Sequence, residues 1–183
     1  MRTEHEGGRS KKIALIGAAG AVGSYIVHLA ALAGLHVVAV SSSQGRDKEF
    51  LISLGATELL EYKDLQHVAD QYDLIIDAVG GEALEHCWSA IKADGVLISV
   101  EPASSDFVSR HRQGLLTIGK HGVRALFFIV EPSRKQSEEL SVALDLGLLQ
   151  VVVGQEGPLL EGRAAYELAN GPLQRRGKVV LTI

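Results

Sequence analysis

Three glycines, Gly17, Gly20 and Gly23, follow the apolar run Ile13-Ala14-Leu15-Ile16 at intervals of three residues and lead into Ser24. The chemistry such a turn offers is that of backbone amides. Gly17 lets the chain turn tightly out of a strand, Gly20 lets backbone approach an anion with no Cβ between them, and Gly23 lets the next helix pack close to the sheet. A pyrophosphate seated there rests on the unpaired amides of a helix N-terminus. A second polar group, Ser41-Ser42-Ser43-Gln44-Gly45-Arg46-Asp47-Lys48, follows the apolar run 36–40. An NAD site places a carboxylate at that point, on the ribose hydroxyls. Here the strand end carries hydroxyls, with Arg46 and Lys48 close by, which favours a 2′-phosphate and hence NADPH over NADH. Asp47, between the two cations, weakens the positive patch.

Acid–base residues are harder to place. Asp94, Glu101, Asp106, His111 and His121 fall in or near loops that could reach a crevice at the strand ends, and residue type alone does not rank them. The seven histidines show no pair at metal-ligand spacing on a helix, so no metal is expected. Cys87, between His86 and Trp88 in a helical stretch, reads as a half-buried packing residue, because nothing local would lower its pKa. The absence of a Tyr-x-x-x-Lys pair argues against the short-chain dehydrogenase mechanism.

These groups need strand ends to hold them. The spacing predicts a strand over 12–16, a helix over 21–33 with Val22, Ile26, Leu29 and Ala33 on one face, and a strand over 36–40. A helix through Phe50, Leu51 and Leu54, ending at Gly55, and a short strand near 58–60 repeat the unit. The second half has an apolar strand over 72–79, a helix over 82–92 and a strand over 95–100. Residues 101–123 read as a loop beside the site, with Ser104-Ser105-Asp106 capping a helix over 107–111. A strand over 123–130, a helix from Ser133 through Leu148, a strand at 151–153, a helix over 161–169 and a strand over 178–183 follow. Apolar strands alternating with helices predict an α/β fold, a Rossmann-type doubly wound parallel sheet covered on both faces, in one domain over 12–183 after a flexible lead-in over 1–11. Val79-Gly80-Gly81 and the segment Phe127 to Val130 fall where such a sheet forms its ligand crevice.

Composition narrows the function. With 183 residues, 46% hydrophobic and 22% charged, the chain has core enough for one globular domain and is not a disordered segment. A net charge of −4 gives no footprint for nucleic acid, and the small basic cluster of Arg175, Arg176 and Lys178 reads as a solvated turn. One cysteine excludes an intramolecular disulfide and a cysteine zinc cluster, and fits a reduced, cytoplasmic setting. The uncharged run 13–39 superficially resembles a signal peptide, but Gly17, Gly20, Gly23 and Gly34 divide it into strand, turn, helix and strand, and no membrane span is expected.

From Lys12 to Ile183 the chain resembles the cofactor-binding half of the medium-chain dehydrogenase/reductase superfamily, in its zinc-free quinone oxidoreductase branch. The landmarks are Gly-Ala-Ala-Gly-Ala-Val-Gly-Ser at 17–24, Leu-Gly-Ala-Thr-Glu at 54–58, Asp-Ala-Val-Gly-Gly at 77–81, Ala-Asp-Gly-Val-Leu-Ile-Ser at 93–99, Phe-Phe-Ile-Val-Glu-Pro at 127–132 and Arg-Gly-Lys-Val-Val-Leu-Thr at 176–182. The resemblance implies that Ala19, Gly20, Ala21, Val22 and Gly23 hold the pyrophosphate, that Ser41, Ser42 and Arg46 lie by the 2′-phosphate, and that Tyr62 lies by the adenosine. It places Val79, Phe128 and Val130 by the nicotinamide, Lys178 on the phosphate side, and 157–183 as a family-typical helix-strand tail. Relatives carry an N-terminal GroES-like catalytic domain, in whose place only residues 1–11 stand, so the second wall of the active site is expected from 101–123, from the tail or from a partner subunit.

The expected function is therefore NADPH-dependent hydride transfer to a small-molecule alkene, quinone or carbonyl. Its rivals are a non-redox enzyme on the same scaffold (an isomerase, cyclase or dehydratase) and a cofactor-binding protein without catalysis. The family also implies a homodimer through the edge strand 123–130, and the terminal strand needs a pairing partner.

Overall fold

The computed structural model describes residues 10–101, 119–170 and 176–183. Six strands, β1 (Lys12–Ile16), β2 (His36–Ser41), β3 (Glu58–Glu61), β4 (Tyr72–Asp77), β5 (Ile91–Ser99) and β6 (Arg124–Phe127), form one parallel sheet in the order β3-β2-β1-β4-β5-β6. Between them run α1 (Gly23–Leu32), α2 (Gln44–Ser53), α3 (Tyr62–Leu65) and α4 (Gly81–Ala90). This is the doubly wound order, and its direction reverses between β1 and β4, which opens a crevice at their carboxyl ends. Alternate residues of β1 serve two cores. Ile13 and Leu15 pack with Val27 and Ala30 of α1 and Leu51 of α2, whereas Ala14 and Ile16 pack with Leu84 and Cys87 of α4.

Local differences from the sequence reading have physical causes. The buried face of α1 is Gly23, Val27 and Ala30, while Val22 and Leu29 are 52% and 44% exposed. The helix is apolar on both sides, and the close approach at Gly23 decides which side meets the sheet. β4 ends at Asp77 rather than residue 79, because the Asp77 carboxylate takes the amides of Val79 and Gly80 and turns the chain. β6 stops at Phe127 rather than 130. It ends level with its neighbour β5 at Ser99, where Val100 N to Asp77 O and Phe128 N to Ser99 O are the last bonds of the two ladders. Cys87 is fully buried, not half-buried.

Beyond the main sheet come α5 (Arg134–Asp145), β7 (Val153–Pro158), a 3-10 turn (Leu159–Glu161), α6 (Gly162–Ala169) and β8 (Lys178–Thr182). Ser133 caps α5, its Oγ accepting from Gln136 N. The terminal strand finds its partner within the chain: β7 and β8 pair in parallel as a separate two-stranded sheet. The strand expected at 151–153 begins at Val153 and runs through Gln155 and Glu156, polar residues that a strand with no buried residue can carry. The expected cap at 104–106 and helix at 107–111 lie outside the described residues, as do residues 1–9 of the lead-in. Among the described residues no helix is long and apolar enough to cross a membrane.

Candidate functional site

The site is assembled from the carboxyl ends of β1, β2 and β4. Gly17 leaves β1 with φ 84°, in the left-handed region that favours glycine. Its amide and that of Ala18 both donate to Val40 O at 3.0 Å, which pins the turn to the end of β2. Gly20 N donates to Gly17 O and Ser24 N to Gly20 O, each at 3.0 Å. The amides of Ala21, Val22 and Gly23 donate to no backbone carbonyl among the described residues, and α1 has neither a side-chain cap nor an acid in its first turn. The positive end of the helix is thus presented bare. A Cβ on Gly20 would meet only Gly17 O, at 3.2 Å, so the outside of the turn is open. On Gly23 it would lie 2.2 Å from Gly17 O, where the helix presses on the strand end. This is a cradle of backbone that fits a pyrophosphate.

Across the crevice, Asp77 is 0% exposed and accepts from Val79 N and Gly80 N at 3.0 Å and from Ser99 Oγ at 2.8 Å. Those bonds set the loop that brings Val79 against the glycine turn: a Cβ on Gly17 would sit 2.8 Å from Val79 Cγ2. Beside it opens a cavity of about 430 Å³ whose lining includes Tyr62, Gln66, Val79, Gly80 and His86. Burial, and then the charges of Asp47 and Asp77, push the Tyr62 phenol above its usual pKa.

At the end of β2 a charged corner forms. Ser43 caps α2, its Oγ accepting from Arg46 N at 3.4 Å, and Gln44 N donates to Glu61 Oε1 at 2.9 Å. Asp47 turns inward and is 0% exposed. Its carboxylate accepts from Arg46 Nε at 3.0 Å and Nη2 at 3.1 Å, and Arg46 Nη2 also donates to Ser42 Oγ at 2.9 Å. Arg176, ahead of β8, donates through Nη2 to Asp47 Oδ1 at 2.8 Å and also to Arg46 O. Burial alone would raise the Asp47 carboxyl, but the bonds from Arg46 and Arg176, with Ser41 near, hold it below the usual carboxylate range. Ser41 is buried and its hydroxyl has no hydrogen-bond partner among the described residues, whereas the exposed Ser42 is the hydroxyl that faces outward.

The structure therefore gathers the turn 19–23, Ser41, Ser42, Arg46, Tyr62 and Val79 along one edge of the sheet. Phe128 and Val130 leave the same edge, with Phe128 N donating to Ser99 O at 2.8 Å, but their side chains are 55% and 78% exposed. Lys178 is exposed in β8, and the tail residue that touches α2 is Arg176, which is an ion-pair partner and not part of a solvated turn. Of the acid–base candidates, Glu101 stands at the crevice end of β5, its amide donating to Ser99 Oγ at 3.4 Å. Asp94 and His121 lie at the opposite edge, where β5 and β6 begin, because Gly122 packs on Ala93 O. Asp106 and His111 lie outside the described residues. Among the described residues no group of three His, Cys, Asp or Glu side chains could hold a metal ion. Burial, with the charge of Asp77, pushes the Cys87 thiol up, so it is inert packing. Sequence reasoning missed Asp77 and Arg176. Asp77 carried a signal, a carboxylate ending an apolar strand before Gly80-Gly81; Arg176 carried none.

The family model that matches the chain, over residues 54–181, is that of the zinc-binding dehydrogenases. The chain is 29% identical over 187 residues to the "Probable zinc-binding oxidoreductase, mitochondrial" of Arthroderma benhamiae, an alignment spanning 98% of the chain and 54% of that protein. It is 27% identical over 165 residues to the chloroplast envelope quinone oxidoreductase homolog of Arabidopsis thaliana, spanning 87% of the chain and 49% of that protein. In fold it is similar to the quinone oxidoreductase from Coxiella burnetii, with a TM-score of 0.78 and 22% identity over 94% of this chain and 53% of that one. The cobalt- and zinc-bound thermostable alcohol dehydrogenase from Pyrobaculum aerophilum also gives a TM-score of 0.78, at 23% identity over 94% of this chain and 50% of that one. The chain spans about half the length of these relatives.

Proposed function

The chain belongs to the zinc-binding dehydrogenase family, as a cofactor-binding part of the medium-chain dehydrogenase/reductase superfamily, and from that premise we propose that it binds NADPH for hydride transfer to an activated alkene, quinone or carbonyl. Membership and the oxidoreductase names of its relatives support redox chemistry. The observation that carries the NADPH reading is Arg46 held over Ser42 at the strand end next to the bare N-terminus of α1.

In this reading the turn from Ala19 to Gly23 holds the pyrophosphate, with the amides of Ala21, Val22 and Gly23 as donors and Gly20 giving close approach, and Ser42 and Arg46, with Ser41 behind them, bind the 2′-phosphate. Tyr62 lines the adenosine side, and Lys178, two residues beyond Arg176, adds positive charge on the phosphate side. Val79, set by Asp77, gives the nicotinamide an apolar floor, with Phe128 and Val130 across from it. The bound cofactor would supply the hydride, and the protein supplies orientation and exclusion of water. Because Phe128 and Val130 are so exposed, the small-molecule side of the site needs a second wall. We assign that wall to a partner subunit, either the other copy of a homodimer joined at β6 or a polypeptide equivalent to the other half of the relatives.

Titration of the purified chain with NADPH and with NADH, followed by nicotinamide fluorescence, tests the proposal. NADPH should bind about tenfold more tightly or better, the worth of one charge-assisted contact. Equal affinity would overturn the NADPH preference. Failure to bind either would remove the redox reading and favour a non-redox enzyme, and tight binding with no turnover of quinones or enones would leave a cofactor-binding protein.

A further inference from the structure

We propose that Arg176 is a second specificity-determining cation for a phosphomonoester at the end of β2, and that buried Asp47 is the positioning residue that sets Arg176 and Arg46 side by side. The inference rests on the NADPH reading and deepens it. Arg176 belongs to the tail, 129 residues from Asp47 in sequence, yet both its Nη2 at 2.8 Å and its Nε at 3.2 Å donate to Asp47 Oδ1. Its guanidinium also stands over the Phe50 ring, 5.2 Å from the centroid, and its bond to Arg46 O fastens it to the backbone of α2. One carboxylate, 0% exposed, thus orients two guanidinium groups.

The charges do not cancel. The nearby Glu61 carboxylate is occupied by Lys63 Nζ at 2.7 Å and by Gln44 N. Two guanidinium groups against the single charge of Asp47 then leave the corner net positive. The donors are not spent either: each arginine meets Asp47 through Nε and Nη2, so Nη1 of each has no protein partner among the described residues. The Arg46 and Arg176 side chains remain 63% and 32% exposed. A ribose diol gains little from a second cation, whereas a phosphate dianion takes charge-assisted bonds from both. The chemistry selected is a phosphate monoester on the nucleotide's 2′ oxygen.

The test uses adenosine 2′,5′-bisphosphate and adenosine 5′-monophosphate as probes, titrated calorimetrically into the full chain, with no turnover required. Wild type should prefer the bisphosphate. Arg176→Met should weaken the bisphosphate about tenfold, as loss of one charge-assisted contact does, while the monophosphate changes less than about twofold. Arg176→Lys, which keeps a cation beside Asp47 and safeguards the fold, should lie between. Asp47→Asn makes the corner more positive and yet should weaken the bisphosphate, because the two arginines lose their common anchor; a gain in affinity would refute the positioning role. If wild type binds both probes equally, the NADPH reading itself fails. If wild type discriminates and both Arg176 variants keep the same ratio, or lose both probes equally, Arg176 only ties the tail to α2 and this inference alone falls.

Discussion

Gly23 and Gly45 stand near the starts of successive helices, and one methyl group should separate them sharply. A Cβ on Gly23 would lie 2.2 Å from Gly17 O and 2.9 Å from Ala18 Cα, both backbone atoms that cannot step aside. Gly23→Ala should therefore push α1 off the turn and lower the unfolding free energy by about 1–3 kcal/mol, as overpacking does. Affinity for pyrophosphate-bearing nucleotides should fall with it. Gly45 has nothing within 4 Å of such a Cβ and no left-handed φ, so Gly45→Ala should stabilise by about 0.4–1 kcal/mol through the unfolded chain. Urea denaturation of both variants checks the pair, and a Gly23→Ala midpoint at or above wild type would contradict the packing account. The glycine turn was legible in the sequence because its function lies in backbone that one residue type, glycine, exposes at three fixed positions. The arginine corner was half legible. Arg46 follows a strand, whereas Arg176 reaches Asp47 only after the tail has folded back, a contact that no local pattern encodes.

Elements were read most reliably where both faces are buried. β1, β2 and β4 are apolar runs for that reason, and among them the end that differs by more than one residue is that of β4, where the Asp77 side chain turns the chain. The face of α1 was misassigned because an apolar helix has no preferred side until Gly23 supplies one. β6 shows what an edge position adds. Ala125 and Phe127 pack against the core, while Leu126 points outward and is 53% exposed. On an edge strand that pattern invites pairing with a second copy. Light scattering of the full chain should give a dimer, and Leu126→Lys should shift it to monomer with circular dichroism unchanged; a wild-type monomer would remove the interface. The start of β6 also depends on Lys120. Its ammonium donates to Trp88 O at 3.0 Å, Ser89 O at 2.7 Å and Ile91 O at 2.6 Å, and pairs with Asp70 at 2.8 Å, with a side chain only 12% exposed. It therefore closes the carboxyl end of α4 with a positive charge. Lys120→Met, of similar length, should cost roughly 1.5–3 kcal/mol, the range for hydrogen bonds to a charged group. Thermal melting checks this, and a loss below about 0.5 kcal/mol, the scale of a neutral surface change, would mean that the carbonyls find water instead.

Across the whole molecule, burial is unevenly spread. The buried residues of the two cores fall within 13–123, and after Val123 the only buried described residue is Leu149. α5, β7, α6 and β8 thus contribute little to the core, and Arg176 on Asp47 is a defined polar tie between the tail and the main sheet. Stability should follow that division, with the lowest opening free energies where buried apolar contacts are fewest. The tie is also sensitive to acid. Because the Asp47 carboxyl is held below its usual range in the folded protein, its contribution is complete above the unfolded-state value of about 4 and is lost as pH falls through the lower folded-state value. Hydrogen exchange, corrected for intrinsic rates, should find the amides of β7 and β8 less protected than those of β1, β2 and β4 at neutral pH. The gap should widen as Asp47 takes up its proton, since Arg176 then faces a neutral acid in place of a carboxylate. Asp47→Asn should show the wide gap at neutral pH already and no further widening in acid. If β7 and β8 track the main sheet at every pH, and do so in the variant too, the tail is held by contacts other than this ion pair.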